Sequence, residues 1–301
     1  MRRSDRGWPT RWTRRGALAL ACGGLVGGEL LGGGLAGARP GRLLAADGAP
    51  APGARPAIPE QLEVGARHRV TEIVDGDTLF LSDGREVRLV GLQAPKLPLG
   101  RPDFEPWPLS DAAKAELSRL TLGKAVTLAY GGRPVDRHGR MLAHLYLDAA
   151  AEADDTWVQG RMLQAGMARV YSFADNRALT AAMYAREDAA RRQRRGIWDH
   201  PFYQVRGTNE LDALIDTFQI VKARVRDVAQ VNGRVYLNFG ADWRTDFTVS
   251  LAPRTARLFA REGVDVMAYE GKRVQVRGWL ERYNGPLIEA THPEQIRKLD
   301  A

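Results

Sequence analysis

Val70-Thr71-Glu72-Ile73-Val74-Asp75-Gly76-Asp77-Thr78-Leu79-Phe80-Leu81, then Ser82-Asp83-Gly84, then Glu86-Val87-Arg88-Leu89-Val90-Gly91-Leu92-Gln93-Ala94-Pro95-Lys96: the reading of the chain turns on this stretch. Val70 to Val74, Thr78 to Leu81 and Glu86 to Leu92 are short, apolar and rich in β-branched residues, with Gly/Asp punctuation between them. That pattern predicts a strand meander with a hairpin at Asp83-Gly84. Such strands bury one face, so Asp75 and Asp77 fall where a strand end opens toward solvent. Arg88, on the third strand, is within reach of the same opening across the sheet. Carboxylates facing an arginine at a barrel mouth suit a phosphate or metal–phosphate site. Read alone, Asp-Gly-Asp-Thr is also an ordinary turn.

The segments downstream extend the pattern. Four prolines between Pro98 and Pro108, with Phe104 and Trp107 among them, predict a stiff surface loop, because proline fixes φ and removes a donor. Ser110 is placed as the N-cap of a helix running to about Leu120, with Ala113, Leu117 and Leu120 on one face. Ala125 to Tyr130 and Met141 to Leu147 read as strands. Trp157 to Ala165 reads as a second helix stopped by Gly166, and Asn176 to Arg194 as a third. Five strands with segregated helices predict an α+β fold, a five-stranded OB-type barrel with three helices. Phe218 to Leu299 follows as three strands, a helix at Pro253 to Arg261 and two strands, the order of a second small OB-like barrel.

Composition bounds the rest. The chain has 301 residues, 44% of them hydrophobic, a length that suits two modest domains plus tails. The net charge is +8; residues 1–38 hold six arginines against Asp5 and Glu29, which leaves a mild excess of +4 for the remainder. That excess is compatible with a polyanionic partner. Cys22 is the single cysteine, so neither a disulfide framework nor a cysteine-ligated metal site is available. Residues 1–38 read as an export signal: arginines first, an apolar Gly/Ala-rich run from Ala17 to Leu35, and Ala36-Gly37-Ala38 as a small-x-small cleavage site. Thr13-Arg14-Arg15-Gly16-Ala17-Leu18 is similar to a twin-arginine motif. The expected location is periplasmic or secreted, by Sec or twin-arginine export, or membrane-anchored if the signal is retained. Residues 39–66, rich in Ala, Pro and Gly, read as a disordered linker. The expected domains are 67–200 and 201–301.

Asp75-Gly76-Asp77-Thr78, Arg88-Leu89, Asp136-Arg137-His138-Gly139-Arg140 and Gly196-Ile197-Trp198 stand in one order and at workable spacing. Over about Arg67 to Trp198 the chain resembles the staphylococcal nuclease-like (thermonuclease) family. The resemblance implies phosphodiester hydrolysis of nucleic acid with calcium. It carries Asp77 onto a calcium ligand, Ala94 onto a carbonyl ligand, and Arg88 and Arg140 onto the phosphate-binding arginines. Asp75, Thr78 and Asp136 are carried over as supporting residues. Two positions depart from the family pattern. Gln93 stands where a second metal aspartate is expected, and Lys96 where the water-activating glutamate is expected. Glutamine offers calcium an oxygen without charge, and a lysine is no base at neutral pH without a large pKa drop. An ammonium near Asp77 can fill the charge niche of a metal, so calcium is expected to bind weakly or not at all.

Other acids and bases have plainer roles. Asp103 and Glu105 lie in the proline loop, as stand-in bases or ordinary surface acids. The resemblance places His138 where the family commonly has an aromatic residue, which implies no catalytic role for it. Arg191, Arg192, Arg194 and Arg195 complement a helix C-terminus. Two functions are therefore expected. One is an exported phosphodiesterase with an altered metal and base site at Gln93 and Lys96. The other is a catalytically degenerate scaffold that holds nucleic acid or a cell-envelope protein partner. Membrane contact is expected only through an uncleaved signal.

Overall fold

The structure, a computed structural model, describes residues 56–148 and 156–299. The export signal and residues 39–55 of the expected linker lie outside the described residues.

The first unit is a closed barrel in the order β1-β2-β3-β6-β5. Its strands are β1 (Glu63–Asp75), β2 (Thr78–Leu81), β3 (Glu86–Leu89), β5 (Ala125–Tyr130) and β6 (Met141–Leu147); a short β4 (Leu92–Gln93) precedes the helix α1 (Ser110–Thr121). All barrel neighbours are antiparallel except β3 and β6, which run parallel with Arg88 opposite Leu142. The parallel pair follows from the crossover through α1 and β5. Alternation along the strands places Val70, Leu79, Leu81, Val87, Leu89, Val126, Leu128 and Leu145 in one core. Two further helices, α2 (Val158–Gln164) and α3 (Thr180–Arg192), flank β7 (Arg169–Val170), which pairs antiparallel with β4.

Three boundaries differ from expectation. The strand β1 begins at Glu63, and Leu62 is buried in the barrel core, so the linker gives way to structure earlier than residue 66. Ser110 is the first helical residue of α1 rather than its cap; Leu109 holds the cap position in the left-handed region at φ 65° and no side chain caps the helix. The Asn176 side chain donates to the Arg133 carbonyl, and α3 starts at Thr180.

The second unit follows a similar strand order but, in place of the closed second barrel expected, its strands form two sheets. Its elements are β8 (Phe218–Arg224), β9 (Asp227–Val231), β10 (Arg234–Asn238), β11 (Thr248–Leu251), α4 (Pro253–Arg261), β12 (Arg273–Trp279), β13 (Glu281–Tyr283), β14 (Gly285–Ala290) and β15 (Ile296–Lys298). One sheet runs β13-β14-β11-β10-β9 and another β15-β12-β8. The segment from Phe218 to Val228, which reads from the sequence as one strand, is broken at Val225-Arg226 into β8 and β9. As β3 pairs in parallel with β6 in the first unit, β11 pairs in parallel with β14 here. The two sheets enclose a core of Val235, Leu237, Phe247, Val249, Phe259, Val274, Val276 and Ile288.

The two units meet through polar groups. The Arg277 guanidinium of β12, 2% exposed, donates to both carboxylate oxygens of Glu187 on α3 (2.8 and 3.1 Å) and to the Val170 carbonyl (2.8 Å). Around this pair lie the Arg297–Asp188 and Arg177–Glu294 ion pairs and the Trp279 to Tyr171 hydrogen bond.

Candidate functional site

Where β1 hands over to β2, Gly76 is packed so closely that a Cβ there would sit 2.6 Å from the Ala94 Cβ and 2.7 Å from that of Ala113. Only glycine fits, and the flanking aspartates are thereby pinned beneath α1. Asp75 Oδ1 accepts the Asp77 backbone N–H (3.0 Å), the local bond expected of an Asp-x-Asp turn. Thr78 pairs with Arg88 across β2 and β3, which brings the Arg88 Nη1 to Asp77 Oδ1 at 2.6 Å. The Ala94 N–H donates to Asp77 Oδ2 at 2.8 Å, and the Thr78 hydroxyl to Oδ1 at 3.2 Å. Lys96 completes the cluster: its Nζ lies 2.6 Å from each Asp77 oxygen and 3.2 Å from Asp75 Oδ2.

Asp77 is wholly buried and Asp75 nearly so, yet two acids and two cations leave the cluster formally neutral. Burial by itself would raise the Asp77 pKa; the charges of Arg88 and Lys96 and the Ala94 N–H outweigh it and hold the carboxyl well below the usual range. Asp75 is raised, first by burial and then by the Asp77 charge, against the opposing pull of Lys96. Arg88 is pushed up: burial lowers it, but Asp77, Asp75 and, further off, Asp136 overcompensate.

The remaining sequence-selected residues are engaged elsewhere. Gln93 faces away from Asp77; its Oε1 accepts from the Arg169 Nε (3.0 Å) and Nη2 (2.7 Å) in the β4–β7 pair. Burial draws Arg169 down to about 10. Arg140 is clasped by Asp136, whose Oδ2 accepts its Nε at 2.9 Å. Asp136 Oδ1 accepts the backbone N–H groups of His138 and Arg140, closing a turn in which Gly139 takes φ +83°. The His138 ring bonds Arg137 and is exposed. Asp103 and Glu105 are exposed and bond nothing in the cluster.

This donor set does not fit calcium. A calcium ion needs six to eight oxygens with free lone pairs. The Asp77 oxygens are taken by an ammonium, a guanidinium, a hydroxyl and a backbone N–H, and the Gln93 oxygen by Arg169. Among the described residues no group of three His, Cys, Asp or Glu side chains is placed to hold a metal. Arg169 escaped sequence reading because nothing near it in the chain marks it; it meets Gln93 only through the fold.

Residues 86–200 match the model of the staphylococcal nuclease homologues. An uncharacterised endonuclease of Escherichia coli O157:H7 is 34% identical over 133 residues, which is 43% of this chain and 75% of the relative. The chain belongs to the staphylococcal nuclease-like family. A micrococcal nuclease of Shigella flexneri is 31% identical over 141 residues (45% of this chain, 75% of the relative), and a thermonuclease of Staphylococcus intermedius 25% identical over 138 residues (45% and 77%). The nuclease-like barrel is thus the family's, and hydrolysis of nucleic acid is the activity at the level of the family. In this nuclease-like barrel the carboxylate that the family resemblance assigns to metal is bound by the chain's own lysine.

Proposed function

We propose that this protein is a nucleic-acid-binding member of the nuclease-like family that does not cut by a calcium-dependent route. The observation that carries the reading is Lys96 Nζ at 2.6 Å from both oxygens of Asp77. A fixed ammonium supplies positive charge at Asp77 but no open coordination position for water and phosphate. It also stands where a base would be needed. Hydrolysis through an altered site is the competing reading, supported by the presence of Arg88 and Arg140. It lacks the base that the family resemblance implies, since Lys96 stands at that position and donates to Asp75 and Asp77. Export of the chain, with processing after Ala38, belongs to the proposal and rests on the sequence of residues 1–38; a soluble cytoplasmic form retaining Met1 would overturn that part.

The test pairs two measurements on the full chain. Binding of fluorescent single-stranded and duplex DNA and RNA is followed by anisotropy with chelator present, and cleavage of the same molecules is followed with and without calcium. Binding in chelator with no calcium-dependent cleavage is expected. Calcium-dependent cleavage overturns the non-hydrolytic reading, and absence of binding to any of the nucleic acids overturns the binding one.

A further inference from the structure

In the nuclease-like barrel the cations that face Asp77 are spent on internal partners, so a nucleic acid must find its charge elsewhere. The helix α4 of the second unit offers it. Its sequence Pro253-Arg-Thr-Ala-Arg-Leu-Phe-Ala-Arg261 puts Arg254, Arg257 and Arg261 at i, i+3 and i+7. At 100° per residue these three fall within a sector of about 60°, spread along about 10 Å of helix axis. Thr255 and Phe259, on the opposite side, are buried, and Phe259 belongs to the second core. All three arginines are exposed, and among the described residues none makes a hydrogen bond or ion pair. The nearby carboxylate of Glu262 is already taken by Arg177. Several arginines elsewhere are paired with acids, as at Arg67, Arg88, Arg140, Arg177, Arg277 and Arg297, and the unpaired ones outside α4 are not aligned three to a helix face. A row of three on one helix face without a hydrogen-bonded acid, Arg261 feeling only the more distant attraction of Glu262, is a concentration of positive charge.

We infer that the exposed face of α4 is the principal contact for the phosphate backbone of a nucleic acid, outside the nuclease-like cleft. The inference rests on the nucleic-acid-binding reading and names its surface. Charge complementarity selects a polyanion. A lipid surface is the less suitable one, because a helix that lies in a membrane interface buries an apolar face in it. The apolar face of α4 is packed in the protein core, and none of the exposed large hydrophobic residues lies on this helix. Arginine forks directed at phosphates position a strand without reading bases, so the contact is independent of sequence.

The experiment measures binding of a labelled 20-nucleotide single strand, and of the corresponding duplex, across a salt series. It compares the wild-type chain with Arg254→Gln/Arg257→Gln/Arg261→Gln, and a thermal scan checks that the variant is folded. Each lost phosphate contact lowers the slope of log K against log salt by about one. The triple variant is expected to lose at least about tenfold in affinity at low salt, with a slope smaller by about two to three on the duplex. A wild-type chain that binds with a triple variant of equal affinity and slope overturns α4 as the contact and leaves the nucleic-acid reading standing. A wild-type chain that binds neither nucleic acid overturns both. Binding to phosphatidylserine vesicles that the triple substitution abolishes, while binding of nucleic acid persists unchanged, also overturns the inference.

Discussion

The Gln93 side-chain oxygen accepts two hydrogen bonds from Arg169, 76 residues away, and so is turned from the Asp77 carboxylate. A carboxylate placed at position 93 would find a buried guanidinium already waiting for it. Gln93→Asp alone is therefore expected to pair with Arg169 and to create no calcium site. Lys96→Glu acts differently, because it sets a third carboxylate beside Asp75 and Asp77 and removes the ammonium that occupies them. Without calcium this variant is destabilised by mutual repulsion of the acids. With calcium at a hundred times its dissociation constant it regains about 2.7 kcal/mol. Thermal scans in chelator and in calcium check both statements. A calcium-dependent shift in the wild-type chain, or in Gln93→Asp alone, goes against the reading.

Removing Lys96 without replacing its charge tests how much the ammonium holds. Lys96→Met leaves Asp75 and Asp77 buried with Arg88 as their main cation, and breaking a buried pair in this way costs about 3–5 kcal/mol. Adding Asp75→Asn relieves the surplus negative charge, and an amide oxygen can still accept the Asp77 N–H. The double variant is expected to be more stable than Lys96→Met, with a coupling of about 1 kcal/mol or more between the two sites. Urea unfolding of the four proteins of the cycle measures it.

How much of this was readable from the chain depends on the range of each interaction. The barrel was legible because the segments holding Val70, Leu79, Leu81, Val87 and Leu89 are short, apolar and bounded by Gly/Asp punctuation, which is a local signal. Lys96 and Gln93 were legible as departures, because they stand next to recognisable motif residues. The partner of Gln93 was not, and neither was the Glu187–Arg277 pair, since no pattern in either segment announces the other. Ser110 was misplaced by one residue because Leu109 takes a left-handed conformation that a leucine rarely adopts, and propensity argues against it. The start of β1 was missed because Ala/Pro/Gly composition dominates the region just before Leu62, whose burial depends on the barrel it closes.

The contact between the two units gives a third test. Glu187 and Arg277 are almost completely buried, and Glu187 also accepts the Val170 N–H at 2.6 Å. Arg277→Met leaves that carboxylate with only the more distant Arg191, at 3.9 Å, as a cation, at a cost of up to about 3–5 kcal/mol. Glu187→Gln/Arg277→Met removes both charges while the amide oxygen can still accept from Val170. It is expected to cost less than Arg277→Met alone. Urea midpoints of the two variants decide it; equal or greater loss in the double variant would show that the charge pair is not what holds the contact.

Two buried histidines set the last expectation. Burial lowers His144 from 6.5 to about 4, and its Nδ1 accepts from the Trp157 indole at 3.3 Å. His292 is also lowered to about 4, mainly by burial, with Glu294 and Arg177 pulling in opposite directions; its ring bonds Ser172 and Thr291. Both are neutral in the fold. In the unfolded chain each takes a proton near pH 6.5. Between about pH 6.5 and 4 the unfolded state therefore binds more protons than the native state, and stability falls as pH falls. Above 6.5 neither state is protonated and the two histidines add no pH dependence. A shift of this size corresponds to about 3 kcal/mol for each histidine at the acid end of the window. Asp75, raised in the fold, works in the opposite sense as pH falls through its own pKa, whereas Asp77, lowered, withdraws its stabilisation only below the ordinary aspartate range. Comparison with histidine variants cancels both aspartates. Urea unfolding of the wild-type chain and of His144→Gln and His292→Gln, from pH 7 to 4, is expected to show a shallower decline in each variant. A decline of equal steepness in all three proteins would mean that the two rings take up protons in the fold as they do in the unfolded chain.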